Sequence, residues 1–150
     1  SLHEFASLAF EDICREFVRE LQKKNALPFR YTELGRFMGK TTLRDKESAN
    51  GLRMAETEID LLALDLRTKK YLVGECKFKG SPFSYSEYLN TTAKLTPLKE
   101  NAAFYYALFS ESGFDEKVVV AAKNTDKLYL YDLHTIVNFK NTNIKASQES

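Results

Sequence analysis

The chain has no excess of charge of one sign: its 22 basic and 21 acidic residues leave a formal net charge of +1. A strong autonomous nucleic-acid binder carries a basic face and a high isoelectric point, so this balance argues against that class. It has no apolar run near the ~20 residues that span a bilayer, and no charged-then-apolar leader. Its two cysteines, Cys14 and Cys76, are too few to staple 150 residues, so both read as buried thiols and imply a reducing, cytoplasmic setting. The isolated histidines His3 and His134 make no zinc pattern with them. No phosphate-cradling glycine-rich loop is present, which excludes nucleotide hydrolysis by the chain itself. No nucleophile-elbow word supports a serine hydrolase. Neither a repeat nor a second domain is visible, and 150 residues suffice to bury one real core. Beginning at Ser1 rather than at methionine, the chain is expected to be a piece of something longer.

What is present is organised around residues 58–79. Glu58-Ile59-Asp60-Leu61-Leu62-Ala63-Leu64-Asp65, a polar turn, and Tyr71-Leu72-Val73-Gly74-Glu75-Cys76-Lys77-Phe78-Lys79 read as a β-hairpin. Alternation puts Glu75 and Lys77 on one face of the second strand and Cys76 on the other, and sets Asp60 with Leu62 and Leu64. Charges in the apolar heart of a hairpin are costly unless neutralised. A divalent metal bound by Asp60 and Glu75, with Lys77 beside it, accounts for them. A structural ion-pair cluster at a sheet edge is the blander account.

The rest of the chain fits around this hairpin. Phe10, Ile13, Cys14, Phe17, Val18 and Leu21 recur at helical spacing, predicting a helix that begins before Phe5 and ends near Asn25. A first strand is expected over 27–39, then a polar, aperiodic loop over 40–55. Ser84 with Glu87 forms a capping-box pattern for a helix with Tyr85, Tyr88, Leu89, Thr92 and Leu95 on its apolar side, ended or kinked at Pro97. The apolar run 102–109 predicts a strand buried on both faces, parallel to the hairpin's second strand. A short strand over 128–131 and a helical turn capped by Asp132 follow, and 139–150 reads as a polar tail after a single domain over 1–138. Basic residues gather at Arg67, Lys69, Lys70, Lys77 and Lys79, with Lys94 and Lys99 after them.

Asp60 followed by Glu75-Cys76-Lys77 resembles the active-site signature of the PD-(D/E)xK nuclease superfamily. With the words Phe10-Glu11-Asp12-Ile13-Cys14-Arg15-Glu16-Phe17, Leu34-Gly35-Arg36-Phe37, Glu58-Ile59-Asp60-Leu61, Gly74-Glu75-Cys76-Lys77-Phe78 and Leu108-Phe109-Ser110-Glu111-Ser112-Gly113-Phe114, the chain resembles, over roughly residues 5–138, an uncharacterised domain. That domain lies at the C-terminus of archaeal and bacterial AAA-type ATPases (domain-of-unknown-function family number 234).

The resemblance implies an α/β, restriction-endonuclease-like αβββαβ core with a mixed central sheet flanked by helices, and a helix at 115–123. It also implies metal-dependent hydrolysis of DNA phosphodiesters. Asp60, Glu75 and the backbone carbonyl of Cys76 would hold Mg²⁺, or Mn²⁺ in its place, and Lys77 would assist the attacking water. Glu11, from the first helix, would bind a second metal or a metal-bound water; Glu16 and Glu20 compete for that role. On the later helix Glu87 and Lys94 are the groups available to assist. Arg36, Lys79 and Lys94 are candidate DNA contacts, and the partners implied are DNA and an AAA-type ATPase. The competing expectation is a non-catalytic module that keeps the fold and only binds DNA or the ATPase.

Overall fold

A computed structural model describes residues 1–95 and 101–139. The chain runs through α1 (Leu2–Lys23), β1 (Glu33–Arg44), β2 (Leu52–Asp65), β3 (Lys70–Lys77), α2 (Tyr85–Ala93), β4 (Ala103–Ser110), α3 (Glu116–Lys123) and β5 (Leu128–Asp132). Residues 133–139 are again helical.

α1 starts at a capping box in which Ser1 Oγ accepts from the Glu4 amide while the Glu4 carboxylate reaches back to the N-cap. Phe10, Cys14, Phe17, Val18 and Leu21 form its buried stripe, whereas Ile13, expected on that stripe, is 47% exposed. The helix stops where Asn25 turns to φ 55°, letting the Ala26 amide donate to the Leu21 carbonyl at 2.8 Å. An asparagine in the left-handed region closing a six-to-one bond is a common helix stop.

Residues 27–32, expected as strand, are irregular. Pro28 cannot donate to a ladder, and Gln22 occupies the Tyr31 backbone instead. Its side chain donates to the Tyr31 carbonyl at 3.1 Å and accepts from the Tyr31 amide at 2.9 Å. Leu27, Phe29 and Tyr31 still pack on the core, so the apolar alternation there served packing rather than pairing.

The loop expected over 40–55 is mostly strand. β1 pairs antiparallel with β2 as far as Arg44↔Leu52, leaving only 45–51 as the connection. β3 pairs with β2 only over Leu61–Asp65, so 52–58 and 38–44 form a two-stranded ribbon beyond the core. Most of its residues, including Met38 and Met54, face solvent, which is why no burial period marks it in the sequence.

The sheet order is β1-β2-β3-β4-β5, antiparallel through the first three strands and parallel from β3 to β5. α2 and α3 form the connections that parallel pairing demands. α1, with Phe10, Cys14, Phe17, Val18 and Leu21, packs on Leu61, Ala63, Leu72, Ala107 and Phe109. Phe83, Leu108, Val118 and Leu128 form a second cluster with residues of α2 and α3. Successive residues of β4 thus serve separate clusters, as its unbroken apolar run required.

α2 keeps the expected cap: Ser84 Oγ accepts from the Glu87 amide and Glu87 Oε1 accepts from the Ser84 amide. Its inward side is built on Thr91, while Leu89 is exposed. Pro97 and Lys99 lie outside the described residues. Asp132 caps the last helical stretch by accepting from the Thr135 amide at 2.7 Å. Phe139, placed in the tail by composition, is helical and meets the Phe17 ring edge-on at 5.3 Å; residues 140–150 lie outside the described residues.

Gly74 of β3 pairs with Leu61 of β2, against its side chain. A Cβ there would meet Leu61 Cβ at 2.9 Å and the Phe109 ring at 3.3 Å. Neither neighbour is the free end of a flexible chain, so Gly74→Ala should push the strands apart at a cost of about 1–3 kcal/mol. Urea unfolding would read this as a lower midpoint at unchanged slope; an unshifted midpoint would contradict the close approach.

Candidate active site

The site is a fork in the sheet. β2 and β3 pair from Asp65↔Lys70 to Leu61↔Gly74. Beyond that point β2 stays with β1, and Glu75, Cys76 and Lys77 stay with Leu108, Phe109 and Ser110 of β4. Asp60 stands in the opening, and its Oδ2 accepts from the Cys76 amide at 3.0 Å. The carboxylate thus takes a donor of β3 that β2 no longer pairs.

A bulge aims it there. Gly35 pairs with Leu62 but Phe37 pairs with Ile59, so β2 carries one extra residue opposite Arg36. Such an insertion breaks the two-residue alternation and redirects side chains. Ile59 and Leu62 accordingly share one cluster while Leu61 and Ala63 pack on the α1 side. This corrects the strict alternation that set Asp60 with Leu62 and Leu64: its carboxyl turns to β3 and to Glu11 of α1.

On β3 the alternation holds. Cys76 packs toward α1 in one cluster with Cys14, while Glu75 and Lys77 point to the α2 side. Glu75 Oε2 accepts from Lys94 Nζ at 2.7 Å, and its Oε1 lies 3.8 Å from Lys77 Nζ. Lys77 Nζ is also 3.7 Å from Glu87 Oε2, and Lys79 Nζ donates to Glu87 Oε1 at 2.8 Å. Both groups named for the later helix therefore reach the site. Of the three α1 glutamates that competed for the role only Glu11 does; Glu16 and Glu20 pair with Arg19 and Lys23 at the helix surface. Arg36 lies across the bulge, 3.5 Å from Glu58. Arg67, Lys69 and Lys70 belong to the other end of β3, so the run of basic residues is not one patch.

Arg15 was not singled out by the sequence reading. Its Nη1 donates to the Asp60 carbonyl at 2.9 Å and its Nη2 bonds Asp12. One signal was available: Arg15 follows Glu11 by four residues, which places both on one helix face.

The electrostatics follow from crowding. Burial, then the charge of Asp60 and a hydrogen bond with it, push the Glu11 carboxyl up to about 7, against the pull of Arg36 and Arg15. Burial first and Asp60 second also raise Glu75, opposed by Lys94 and Lys77. Glu87 runs the other way. Its partial burial is outweighed by Lys79 and by the Ser84 amide and hydroxyl, which hold it at about 2.

Burial and the charge of Asp60 drive Glu11 and Glu75 toward protonation, a strain that a hard cation among these oxygens would relieve. In that sense the oxygens of Asp60 and Glu75 fit a divalent metal. Among the described residues no three His, Cys, Asp or Glu side chains are grouped to hold one. A metal here would rest on two carboxylates, main-chain oxygen and water, which is the ligand economy of Mg²⁺.

Glu11 gives a pH test. Its folded value, about 7, lies above the ordinary 4.5, so the folded state binds this proton more tightly. The associated stability is fully present below the ordinary value and is lost as pH rises through the folded one. Between pH 5 and pH 8 the metal-free parent should therefore lose melting temperature relative to Glu11→Gln. A gap between the two that stays constant with pH would contradict the shift.

Two solved structures are similar in fold. One is protein VC1899 from Vibrio cholerae, with a TM-score of 0.56 and 17% identity over 88% of this chain and 31% of that one. The other is the MspJI restriction endonuclease, solved in complex with a 27-mer oligonucleotide, with a TM-score of 0.50 and 12% identity over 90% of this chain and 28% of that one. At these identities the likeness is one of fold. The protein has the restriction-endonuclease-like α/β fold, an αβββαβ core with a mixed central sheet flanked by helices. None of the helices among the described residues is long and apolar enough to cross a membrane. The uncharacterized protein MJECL04 of Methanocaldococcus jannaschii is 32% identical over 77 residues, 51% of this chain. The match spans only 14% of that relative's length. Residues 1–93, from α1 through the fork to the end of α2, match domain-of-unknown-function family 234, and the chain belongs to that family, described as "Archaea bacterial proteins of unknown function".

Proposed function

We propose that this domain is a metal-dependent nuclease of the PD-(D/E)xK type that hydrolyses DNA phosphodiesters. The observation that carries the reading is the fork itself. Asp60 from β2 and Glu75 and Lys77 from β3 meet where the sheet opens, with Glu11 closing one side. The restriction-endonuclease-like fold supports it by analogy.

Asp60, Glu75 and the backbone carbonyl of Cys76 are the groups that would hold Mg²⁺, with Mn²⁺ as substitute. When bound, the metal supplies Lewis acidity toward the scissile phosphate and a more acidic water. The remaining work falls to the protein. The Cys76 amide fixes the Asp60 carboxylate, and Arg15 fixes the strand beneath it through the Asp60 carbonyl. Glu75 and Glu87 hold the Lys77 ammonium between them, 3.8 and 3.7 Å away. From there it can orient the attacking water or neutralise charge building on phosphorus. Glu11, held near neutral pH, is suited to exchange a proton with a site water. Arg36, Lys79 and Lys94 are the proposed phosphate contacts. Each is paired with a carboxylate, and the net charge is +1, so free DNA should bind weakly. This favours delivery of substrate by another part of a longer protein or by a partner, for which an AAA-type ATPase is the proposal.

Two measurements test the reading. A ligand specific to the folded state adds about 2.7 kcal/mol of stability at a hundredfold excess over its dissociation constant. Millimolar Mn²⁺ or Mg²⁺ should therefore raise the melting temperature of the parent but not of Asp60→Asn. Equal shifts in both would place any metal elsewhere.

Concentrated parent with Mn²⁺ should also nick supercoiled plasmid slowly, while Glu75→Ala should not. Lys77→Ala should keep the metal-induced melting shift and lose cleavage, since an ammonium is no ligand. Cleavage by Lys77→Ala at the parent's rate would remove that lysine from the mechanism. Metal binding without cleavage of any DNA or RNA, even with a partner ATPase supplied, would leave the non-catalytic adaptor as the function.

A further inference from the structure

Lys94 closes the site from the side opposite Glu11. It follows the last turn of α2 in an extended conformation (φ −66°, ψ 143°), and Leu95 after it turns to φ 59°. The side chain therefore leaves the helix end and reaches back over the fork. Its Nζ bonds Glu75 Oε2 at 2.7 Å and also the main-chain carbonyl of Glu58. One ammonium thus ties an oxygen of β2, two residues before Asp60, to an oxygen of β3 across the opening.

Three features separate this contact from an ordinary surface ion pair. The Glu75 side chain is only 12% exposed and that of Lys94 23%, so both charges are largely withdrawn from water. Removing either partner would strand the other, a cost that exposed pairs do not carry. The other two lysines are committed differently: Lys77 is shared between Glu75 and Glu87, and Lys79 is bound to Glu87. Finally, an anionic oxygen and a carbonyl oxygen at short range are what a hard divalent cation also seeks.

We propose that Lys94 is the resident counter-ion of the site. In the metal-free protein its ammonium holds a cation seat between Glu75 and Glu58, and a divalent metal binding at Asp60 and Glu75 displaces it. Two cations cannot share Glu75 Oε2 at contact distance without strong repulsion. The four-carbon lysine stem lets the released ammonium swing out without moving α2, toward the position of a substrate phosphate. Loading with metal would then free a phosphate contact that is otherwise tied up. The proposal rests on the metal-dependent reading above.

Calorimetric titration of Mn²⁺ into the parent, Lys94→Met and Lys94→Arg tests it. A charge-assisted hydrogen bond of this kind competes with the metal by about a factor of ten or more. Lys94→Met should bind Mn²⁺ about tenfold tighter, and Lys94→Arg, which keeps the positive charge, should stay near the parent. If the parent binds and a folded Lys94→Met binds equally or more weakly, Lys94 supports Glu75 rather than competing for it. The inference then falls while the metal site stands. If folded parent and Lys94→Met both fail to bind, both readings fall.

Should Lys94→Met not fold, side-chain ammonium resonances of the parent decide. The Lys94 signal, slowed in exchange by its two acceptors, should weaken as Mg²⁺ is added while that of Lys79 persists. A Lys94 signal unchanged at saturating Mg²⁺ would overturn the proposal.

Discussion

The hydrogen bond from the Cys76 amide to the Asp60 carboxylate is the contact on which the site depends. Where β2 and β3 part, each strand loses ladder partners, and a backbone donor left unpaired inside a protein costs free energy. Asp60 supplies the missing acceptor with a side chain. The same bond that lets the sheet open also fixes a carboxylate at the mouth of the opening. A bulge of one residue opposite Arg36 makes it possible, because without the shift between Gly35 and Phe37 the Asp60 side chain would follow strict alternation to another face.

The rest of the site is arranged around the charge this creates. Glu11 and Glu75 both feel Asp60, and each is given cations: Arg15 and Arg36 near the first, Lys94 and Lys77 near the second. Glu87 neutralises Lys77 and Lys79 in turn. The result is a dense set of charges with little surplus of either sign, consistent with a chain of net charge +1. Such a set has weak pull on a distant polyanion and strong response to a local change, since each charge is held by its neighbours rather than by water.

The fold places this set with few long connections. α1 covers one face of the sheet and brings Glu11 to Asp60; α2 covers part of the other and brings Glu87 and Lys94 to Glu75 and Lys77. The β1–β2 ribbon extends past the fork, its strands continuous with the one that carries Asp60. An isolated two-stranded hairpin is marginal in water, so the core pairing at its base and the seven-residue connection over 45–51 have to hold it.

The sequence by itself determined those features whose physical cause is local. The stripe of α1, the capping box at Ser84 and Glu87, the two-faced burial of β4, and the split of Glu75 and Lys77 from Cys76 all follow from periodicity or from one side chain reaching its own backbone. That Asp60, Glu75 and Lys77 need an explanation was likewise legible, since charges within apolar strands are costly. Tertiary structure decided the rest. Residues 27–31 have a strand's alternation but stay outside the sheet, and Gln22, nine residues distant, takes the backbone of Tyr31. Residues 40–44 and 52–55 lack alternation but pair, because both faces of the ribbon meet water and no burial pattern is written there. Whether Arg15 and Lys94 join the site depends on where α1 and the end of α2 come to rest. The bulge that aims Asp60 depends on how β1 registers against β2. Register is a relation between two segments, and neither segment carries it alone.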